Sequence, residues 1–193
     1  MSTTPPSENP PERRATKLVS IDPGLRHCGV ALFDVPVHER ASLLAAGLPK
    51  NPERQDGELS LASWASMALA VREWLRPRVG DEPFQLIIEM PRVYSAAHQK
   101  GDQNDLIQLA GVVGMLGGFL PNVASRRSIY PRDWKGTVDP DAFIERIKQR
   151  LDAAEHLRVE LPSAATLHHN VWDAVGIGLH ALGRLAPRRV FPR

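Results

Sequence analysis

The stretch that decides the fold is KLVSIDPGLRHCGVALFDV, residues 17–35, in which two apolar runs flank a turn signal. The first run, LVSI, has the length and composition of a buried strand and ends at Asp22-Pro23-Gly24. The second run, CGVALFDV, follows after a tight turn, which predicts a hairpin. The ordered part of the chain therefore opens with two paired strands and an acidic residue at the end of the first.

Strands and helices alternate after this hairpin. We predict further strands at 42–48, 84–90 and 124–130, and helices at 59–76, 104–120, 140–154 and 171–185. Pro77 and Gly80 should end the first helix, and Asp139 should cap the third because a proline follows it. The run FQLIIEM at 84–90 is apolar without alternation, as in a central strand buried on both faces. The predicted fold class is α/β, with a mixed sheet flanked by helices.

Length and composition indicate one globular domain. The chain has 193 residues, of which 42% are hydrophobic and 24% charged, enough for one sizeable core. Residues 1–16 are rich in proline and predict a disordered tail, 17–186 form the folded domain, and 187–193 are a short basic tail. The opening residues lack an apolar leader, and the most apolar stretch is shorter than the roughly 20 residues that span a bilayer. We expect a cytoplasmic protein of a bacterial or phage-infected cell.

Charge and cysteine content exclude some kinds of site. The formal net charge of +2 permits nucleic-acid binding without arguing for it, so any basic surface must come from local clustering, as at 126–150. Cys28 is the single cysteine, which excludes a disulfide and a multi-cysteine zinc site within the chain.

Three acidic residues stand out by their positions. Asp22 ends the first strand, Glu89 ends the central strand, and Asp173 interrupts the apolar run VWDAVGIGL of the last helix. An acid in a buried run is costly unless something compensates for its desolvation. Mg²⁺ takes oxygen ligands, and two such ions roughly 4 Å apart can promote phosphodiester hydrolysis. Carboxylates from separate elements that converge on one point would suit this chemistry.

Each acid also has a purely structural explanation. An aspartate before Pro-Gly is common in turns, which accounts for Asp22. Glu89 could be a solvated residue at a strand end, and the helix dipole favours an acid such as Asp173 in a first turn. The conjunction of the three acids favours a shared site more than any one of them does.

Three motifs together resemble the RuvC-type Holliday junction resolvases. IDPGLRHCGVALFD resembles the opening strand-turn-strand of that family, IIEMPRVY its glutamate-bearing central strand, and HHNVWDAVGIGLHAL its closing helix. The resemblance covers residues 17–185. It implies a ribonuclease H-like fold, a homodimer with two active sites, and paired nicks near the crossover of a four-way DNA junction. It also implies Mg²⁺ or Mn²⁺, two ions per active site, held by Asp22, Glu89 and Asp173.

The same resemblance suggests DNA-binding residues. Lys135 falls where the resolvases carry a basic residue near the scissile phosphate, and Arg132 lies close to it in IYPRDWKGTV. Tyr94 follows Glu89 in the loop where the family places an aromatic residue that stacks on a base. Arg92 and Lys100 make that loop basic, although a polar surface loop would have the same composition. The apolar helix at 104–120 suits a dimer interface or burial within one domain.

The fourth ligand is where the sequence departs from the family pattern. The resolvases place an aspartate or histidine one helical turn before the last aspartate, where this chain has His169 and Asn170. Both positions share a helix face with Asp173. We expect Asn170 to cap the last helix or to act as a weak ligand, and His169, just outside the helix, to assist the metal or the water.

Other functions have to be weighed against nuclease activity. An actin-like or sugar-kinase-like ATPase needs a second phosphate loop and a longer chain, and neither is present. A non-catalytic junction-binding protein of the same fold remains a candidate because Asn170 carries no charge. A relative that acts on RNA–DNA hybrids or on branched packaging intermediates is a further alternative.

Overall fold

A computed structural model of the protein describes residues 16–53, 61–92 and 103–185. The predicted tails, except Thr16, lie outside these ranges, as do Ala186 at the end of the predicted domain and the loop residues Tyr94 and Lys100. The strands are β1 (Lys17–Asp22), β2 (Gly29–Asp34), β3 (Ser42–Gly47), β4 (Phe84–Glu89) and β5 (Val123–Ile129). The helices are α1 (Leu61–Val79), α2 (Gln103–Phe119), α3 (Pro131–Trp134), α4 (Pro140–Lys148), α5 (Ala153–His156) and α6 (His168–Ala181), with a 3-10 turn at Ala165–Leu167.

The five strands form one mixed sheet in the order β3-β2-β1-β4-β5. β1 pairs antiparallel with β2, and β2 pairs antiparallel with β3. β1 and β4 are parallel, as are β4 and β5. The predicted hairpin and the mixed sheet, antiparallel at first and then parallel, are confirmed.

Helices cover both faces of the sheet. Side chains of successive strand residues point to opposite faces, so each strand contributes apolar side chains to both cores. In β1, Leu18 packs into the core under α4 and α6, whereas Val19 and Ile21 pack into the core under α1 and α2. The side chains of β4 alternate between the two cores in the same way, with Ile87 on the α6 side. No helix within the described ranges is both long and apolar enough to cross a membrane.

Three helix boundaries differ from the prediction. Pro77 lies inside α1 and does not end it; the helix runs to Val79, and Gly80, with a φ of 61°, ends it by donating its N–H to the carbonyl of Arg76. A proline near the end of a helix removes only one of the last backbone hydrogen bonds, so the final turn can continue past it. The predicted helix at 140–154 is two helices, because Asp152 starts α5 with its own capping box. Asp139 caps α4 as predicted, accepting hydrogen bonds from two backbone N–H groups.

The third difference concerns α6, which begins at His168 and not at 171. The 3-10 turn leads directly into the helix, and Leu167 occupies the N-cap position without a side-chain hydrogen bond. The expectation that Asn170 caps this helix is therefore wrong, as is the placement of His169 outside it. Both residues lie in the first turn of α6, and Asp173 lies in the second.

A buried ion pair fixes the segment just after α6 to the sheet. Arg184 donates two hydrogen bonds to Glu155, at 2.7 and 2.8 Å, and Glu155 also accepts from the backbone N–H of Leu43. Burial by itself would raise the pKa of Glu155, but these hydrogen bonds outweigh it and lower the pKa to about 2. The pair therefore connects α5, β3 and the segment after α6.

Glu155→Gln should destabilise the fold by about 3 kcal/mol, because it leaves the buried guanidinium of Arg184 without a counter-charge. Urea denaturation followed by circular dichroism measures the change. The control is Glu145→Gln, which breaks an exposed pair with Lys148 and should cost at most about 0.5 kcal/mol. Equal effects of the two substitutions would contradict a structural role for the buried pair.

Candidate active site

The ends of the parallel strands bring Asp22 and Glu89 together. Ile21 pairs with Ile88, so the next residues of β1 and β4 leave the sheet at the same level. Adjacent strands lie about 4.8 Å apart. Asp22 is two residues after Ser20, which donates a hydrogen bond to α6, and Glu89 is two residues after Ile87, which packs under α6. Side-chain alternation therefore directs both carboxylates to the α6 face of the sheet.

Small residues allow α6 to approach this edge of the sheet closely. The Ser20 hydroxyl donates to the carbonyl of Ala174 at 2.7 Å. A side chain at Gly29 would overlap the Asn170 carbonyl, and a side chain at Gly178 would overlap Phe33. Asp173 immediately precedes Ala174, so this packing brings it beside the ends of β1 and β4.

The three carboxylates interact strongly. Burial raises the pKa of Asp22 well above its usual value, and the charges of Glu89 and Asp173 raise it further, against an opposing effect of Lys135. The pKa of Glu89 is raised to about 7, mainly by burial. A hydrogen bond from Trp134 opposes this rise, the charge of Asp173 adds to it, and the charge of Lys135 reduces it. All three residues keep partial contact with solvent. The cluster is therefore a solvent-accessible site with too little positive charge.

Two consecutive residues at the end of α3 bind two of these acids. Trp134 donates its indole N–H to Oε2 of Glu89 at 2.6 Å. The Nζ of Lys135 donates to both carboxylate oxygens of Asp173, at 2.9 and 2.7 Å. Sequence reasoning named Lys135 for DNA and missed the role of Trp134. A sequence signal for this role was present: Trp134, whose indole N–H can only donate a hydrogen bond, stands beside Lys135 shortly after the predicted strand at 124–130.

The donor set suits a hard divalent cation, because carboxylate oxygens are the ligands that Mg²⁺ and Mn²⁺ prefer. Burial, followed by the neighbouring negative charges, raises the pKa values of Asp22 and Glu89, so a bound cation would stabilise their ionised forms. Among the described residues, however, no three His, Cys, Asp or Glu side chains are grouped closely enough to hold one ion. Lys135 occupies both oxygens of Asp173, so the ammonium and an incoming cation compete for this carboxylate.

The two candidates for a fourth ligand are adjacent in the first turn of α6 and have different neighbours. The backbone of Asn170 contacts Gly29, which pairs with Asp22 across the hairpin. His169 is exposed and lines a groove of about 530 Å³ together with Glu145 and other residues of α4. The Asn170 backbone therefore lies beside the hairpin that carries Asp22, whereas His169 lines the groove along α4.

The predicted DNA-binding residues are only partly described. Arg132 is exposed on α3, immediately before the residues that bind the carboxylates. The guanidinium of Arg92 lies over the ring of Tyr130, 5.7 Å from its centroid. Tyr130 is itself 42% exposed. These groups follow β4 and β5 and therefore lie at the same edge of the sheet as the three acids.

The fold is similar to that of known Holliday junction resolvases. RuvC of Thermus thermophilus in complex with a Holliday junction substrate matches with a TM-score of 0.57 and 17% identity, over 86% of this chain and 93% of that chain. A second structure of Thermus thermophilus RuvC gives 0.54 and 19%, over 86% and 93%. The yeast mitochondrial Holliday junction resolvase Ydc2 gives 0.54 and 10%, over 91% and 84%. No protein-family model and no curated protein sequence matches the chain.

These similarities define the architecture. The chain has the ribonuclease H-like fold of the RuvC-type resolvases, with the mixed sheet and flanking helices that the sequence predicted. The TM-scores of 0.54–0.57 establish this fold, whereas identities of 10–19% leave the role of each site residue a separate question.

The raised pKa of Glu89 predicts a pH-dependent stability difference in metal-free protein. Below about pH 4.5, Glu89 is protonated in both the folded and the unfolded state, and Glu89→Gln should have little effect. Between about pH 4.5 and 7 only the unfolded state releases the proton, so wild-type stability falls relative to the variant as pH rises. Above pH 7 the variant should be more stable by up to about 3 kcal/mol.

Urea denaturation in EDTA at several pH values measures this difference. The control is Glu39→Gln, which changes an exposed glutamate in the loop at the opposite end of β2. A stability difference between wild type and Glu89→Gln that does not vary with pH would contradict the raised pKa.

Proposed function

We propose that the protein is a metal-dependent endonuclease that resolves Holliday junctions or related branched DNA by paired phosphodiester hydrolysis. The observation that carries the proposal is the meeting of Asp22, Glu89 and Asp173 at one edge of a RuvC-type fold, beside the Lys135 ammonium. The solved structures with this fold include a RuvC in complex with a Holliday junction substrate. A cytoplasmic location is part of the same proposal.

Asp22, Glu89 and Asp173 would hold Mg²⁺ or Mn²⁺, two ions per active site, with Asn170 as an uncharged fourth ligand. Binding would require the three carboxylates to move closer together than they lie in the described structure. The chemistry that such ions supply when bound is activation of the attacking water and stabilisation of the leaving oxygen. The indole of Trp134 fixes one oxygen of Glu89, which leaves the other free to bind. Trp134 is therefore a positioning residue for Glu89.

Lys135 has two possible partners in this proposal. Without DNA its ammonium neutralises Asp173. A phosphate that enters the site offers a second negative partner for the ammonium, and the side chain of Lys135 is long and about one-quarter exposed. Transfer of Lys135 from Asp173 to the scissile phosphate would release both carboxylate oxygens for the metal and place a cation beside the reacting group.

We predict that Asp22→Asn, Glu89→Gln and Asp173→Asn each lower the cleavage rate of a labelled four-way junction by at least about 100-fold, because losing a carboxylate removes both charge and a ligand. Junction affinity should not fall, since these acids would hold the metal and make no attractive contact with the DNA phosphates. Cleavage is measured with Mg²⁺, Mn²⁺, Ca²⁺ and EDTA, and binding by fluorescence anisotropy. Near-wild-type cleavage by any one variant would remove that residue from the site.

The choice of substrates separates the alternatives. A four-way junction, a linear duplex and an RNA–DNA hybrid should be compared with the same wild-type preparation. Binding of the junction without cleavage in any metal would indicate a non-catalytic junction-binding protein. Preferential cleavage of the hybrid would identify a relative with a different substrate.

Paired cleavage also requires two active sites, and the outer face of α2 suits a homodimer. Ile107 and Phe119 are 61% and 50% exposed on this helix. Gly114 and Gly118 lie between them on the exposed side, and a side chain at either glycine would meet nothing within 4 Å. A second copy packed on this apolar, flat face would form the symmetric interface typical of homodimers.

Gly114→Arg should therefore convert the dimer into a monomer without unfolding it, because the arginine has free space in the isolated chain. Light scattering at micromolar concentration gives the mass, and thermal unfolding tests the fold. The control is Glu73→Arg, which introduces an arginine at an exposed position of another helix, α1. A wild-type monomer at this concentration would exclude the dimer.

A further inference from the structure

Loops on both sides of the carboxylates extend beyond the same edge of the sheet. β1, β4 and β5 end at this edge, β2 begins there because Asp22 pairs with Gly29, and β3 ends there because Val30 pairs with Gly47. α3 follows β5 on one side of the acids. The β1–β2 turn and the residues after β3 lie on the other side, because the strand order is β3-β2-β1-β4-β5.

The loops on the β2–β3 side are joined by backbone hydrogen bonds. The N–H of Cys28 donates to the carbonyl of Pro49 at 3.0 Å, and the N–H of Asn51 donates to the carbonyl of Arg26 at 2.9 Å. His27 and Lys50 form an antiparallel bridge between these bonds. The connection gives the β1–β2 turn a fixed position relative to the residues that follow β3.

A buried side chain strengthens this connection. Asn51 is 4% exposed, and its amide group donates to the carbonyl of Leu25 at 3.2 Å and to the carbonyl of Ser63 at 2.9 Å. The bonds connect the turn to the start of α1. Side chains on these loops therefore project from a backbone that is already ordered, which reduces the entropy lost when they bind a ligand.

Three basic residues project from this framework, and we name Arg26, His27 and Lys50 the turn patch. Arg26 and Lys50 are exposed. Burial lowers the pKa of His27, and the charges of Lys50 and Arg26 lower it further, so the three groups lie within electrostatic range of one another. Within the described part of the chain, Lys50 has no ion-pair partner.

We propose that the turn patch binds the phosphodiester backbone of a DNA strand on the side of the carboxylates opposite Lys135. The inference rests on the proposed nuclease function and extends it. A strand that reaches three acids is repelled by them, so cations on both flanks are needed to hold its phosphates. Lys135 and Arg132 provide one flank, and Arg26 and Lys50 provide the other. The open position of the patch suits a continuous backbone and not an enclosed small anion.

The test compares salt dependence of junction binding in the non-cleaving Asp22→Asn protein. The double variant Arg26→Gln/Lys50→Gln should weaken binding by about 10-fold at about 50 mM salt and reduce the slope of log K against log salt by about 1–2. Fluorescence anisotropy between about 50 and 200 mM salt gives both quantities. Lys50→Arg should retain the affinity and slope of the parent, because it keeps the charge.

The matched control is Arg72→Gln/Arg76→Gln. It removes the same charge from two exposed side chains of α1 that lie with Phe84, at the opposite edge of the sheet. A reduced slope in the turn-patch variant but not in the control supports the proposal. Equal slopes in the two variants would overturn the turn patch and leave the nuclease function intact. Failure of the Asp22→Asn parent to bind any junction would overturn both.

Discussion

The mutual repulsion of three partly buried carboxylates is the constraint on which the site depends. Burial and neighbouring negative charge raise the pKa of Asp22 and Glu89, which makes their ionised forms costly in the folded chain. The structure offsets this cost with one short helix, α3, whose Trp134 binds Glu89 and whose neighbour Lys135 binds Asp173. One ammonium cannot neutralise three acids, and the remaining negative charge is what would attract divalent cations.

The core supports this arrangement. Trp134 is 6% exposed and packs edge-to-face on Phe143 of α4, with ring centroids 5.3 Å apart. Gly176 of α6 lies against Trp134, where a larger residue would collide with the indole. The indole thus belongs to the hydrophobic core and to the polar site at once, so the position of Glu89 depends on packing between α3, α4 and α6. Functional geometry here is inseparable from stability.

Basic side chains lie on both sides of the acids although the chain as a whole has little net charge. The net charge of the chain is only +2, yet cations lie on both sides of the acidic edge: Lys135 and Arg132 beyond β5, and Arg26 and Lys50 beyond β1 and β3. Local placement, and not overall composition, produces a surface suited to a polyanion. The same edge carries the acids, so a bound strand would be held by its flanks while its scissile phosphate faces the carboxylates.

The sequence by itself determined the hairpin at 17–35, the central strand that ends at Glu89 and the α/β class, because periodicity and turn residues act over a few neighbouring positions. It also singled out Asp22 and Glu89 at the ends of strands and Asp173 within an apolar helical run. Tertiary structure alone decided that Trp134 binds Glu89, that Lys135 pairs with Asp173, and that the backbone of Asn170 packs against Gly29 of the hairpin. The first two contacts join residues 45 and 38 positions apart, and the packing of α6 on β1 joins Ser20 with Ala174 across 154 positions. They depend on strand order and helix packing that no local pattern encodes.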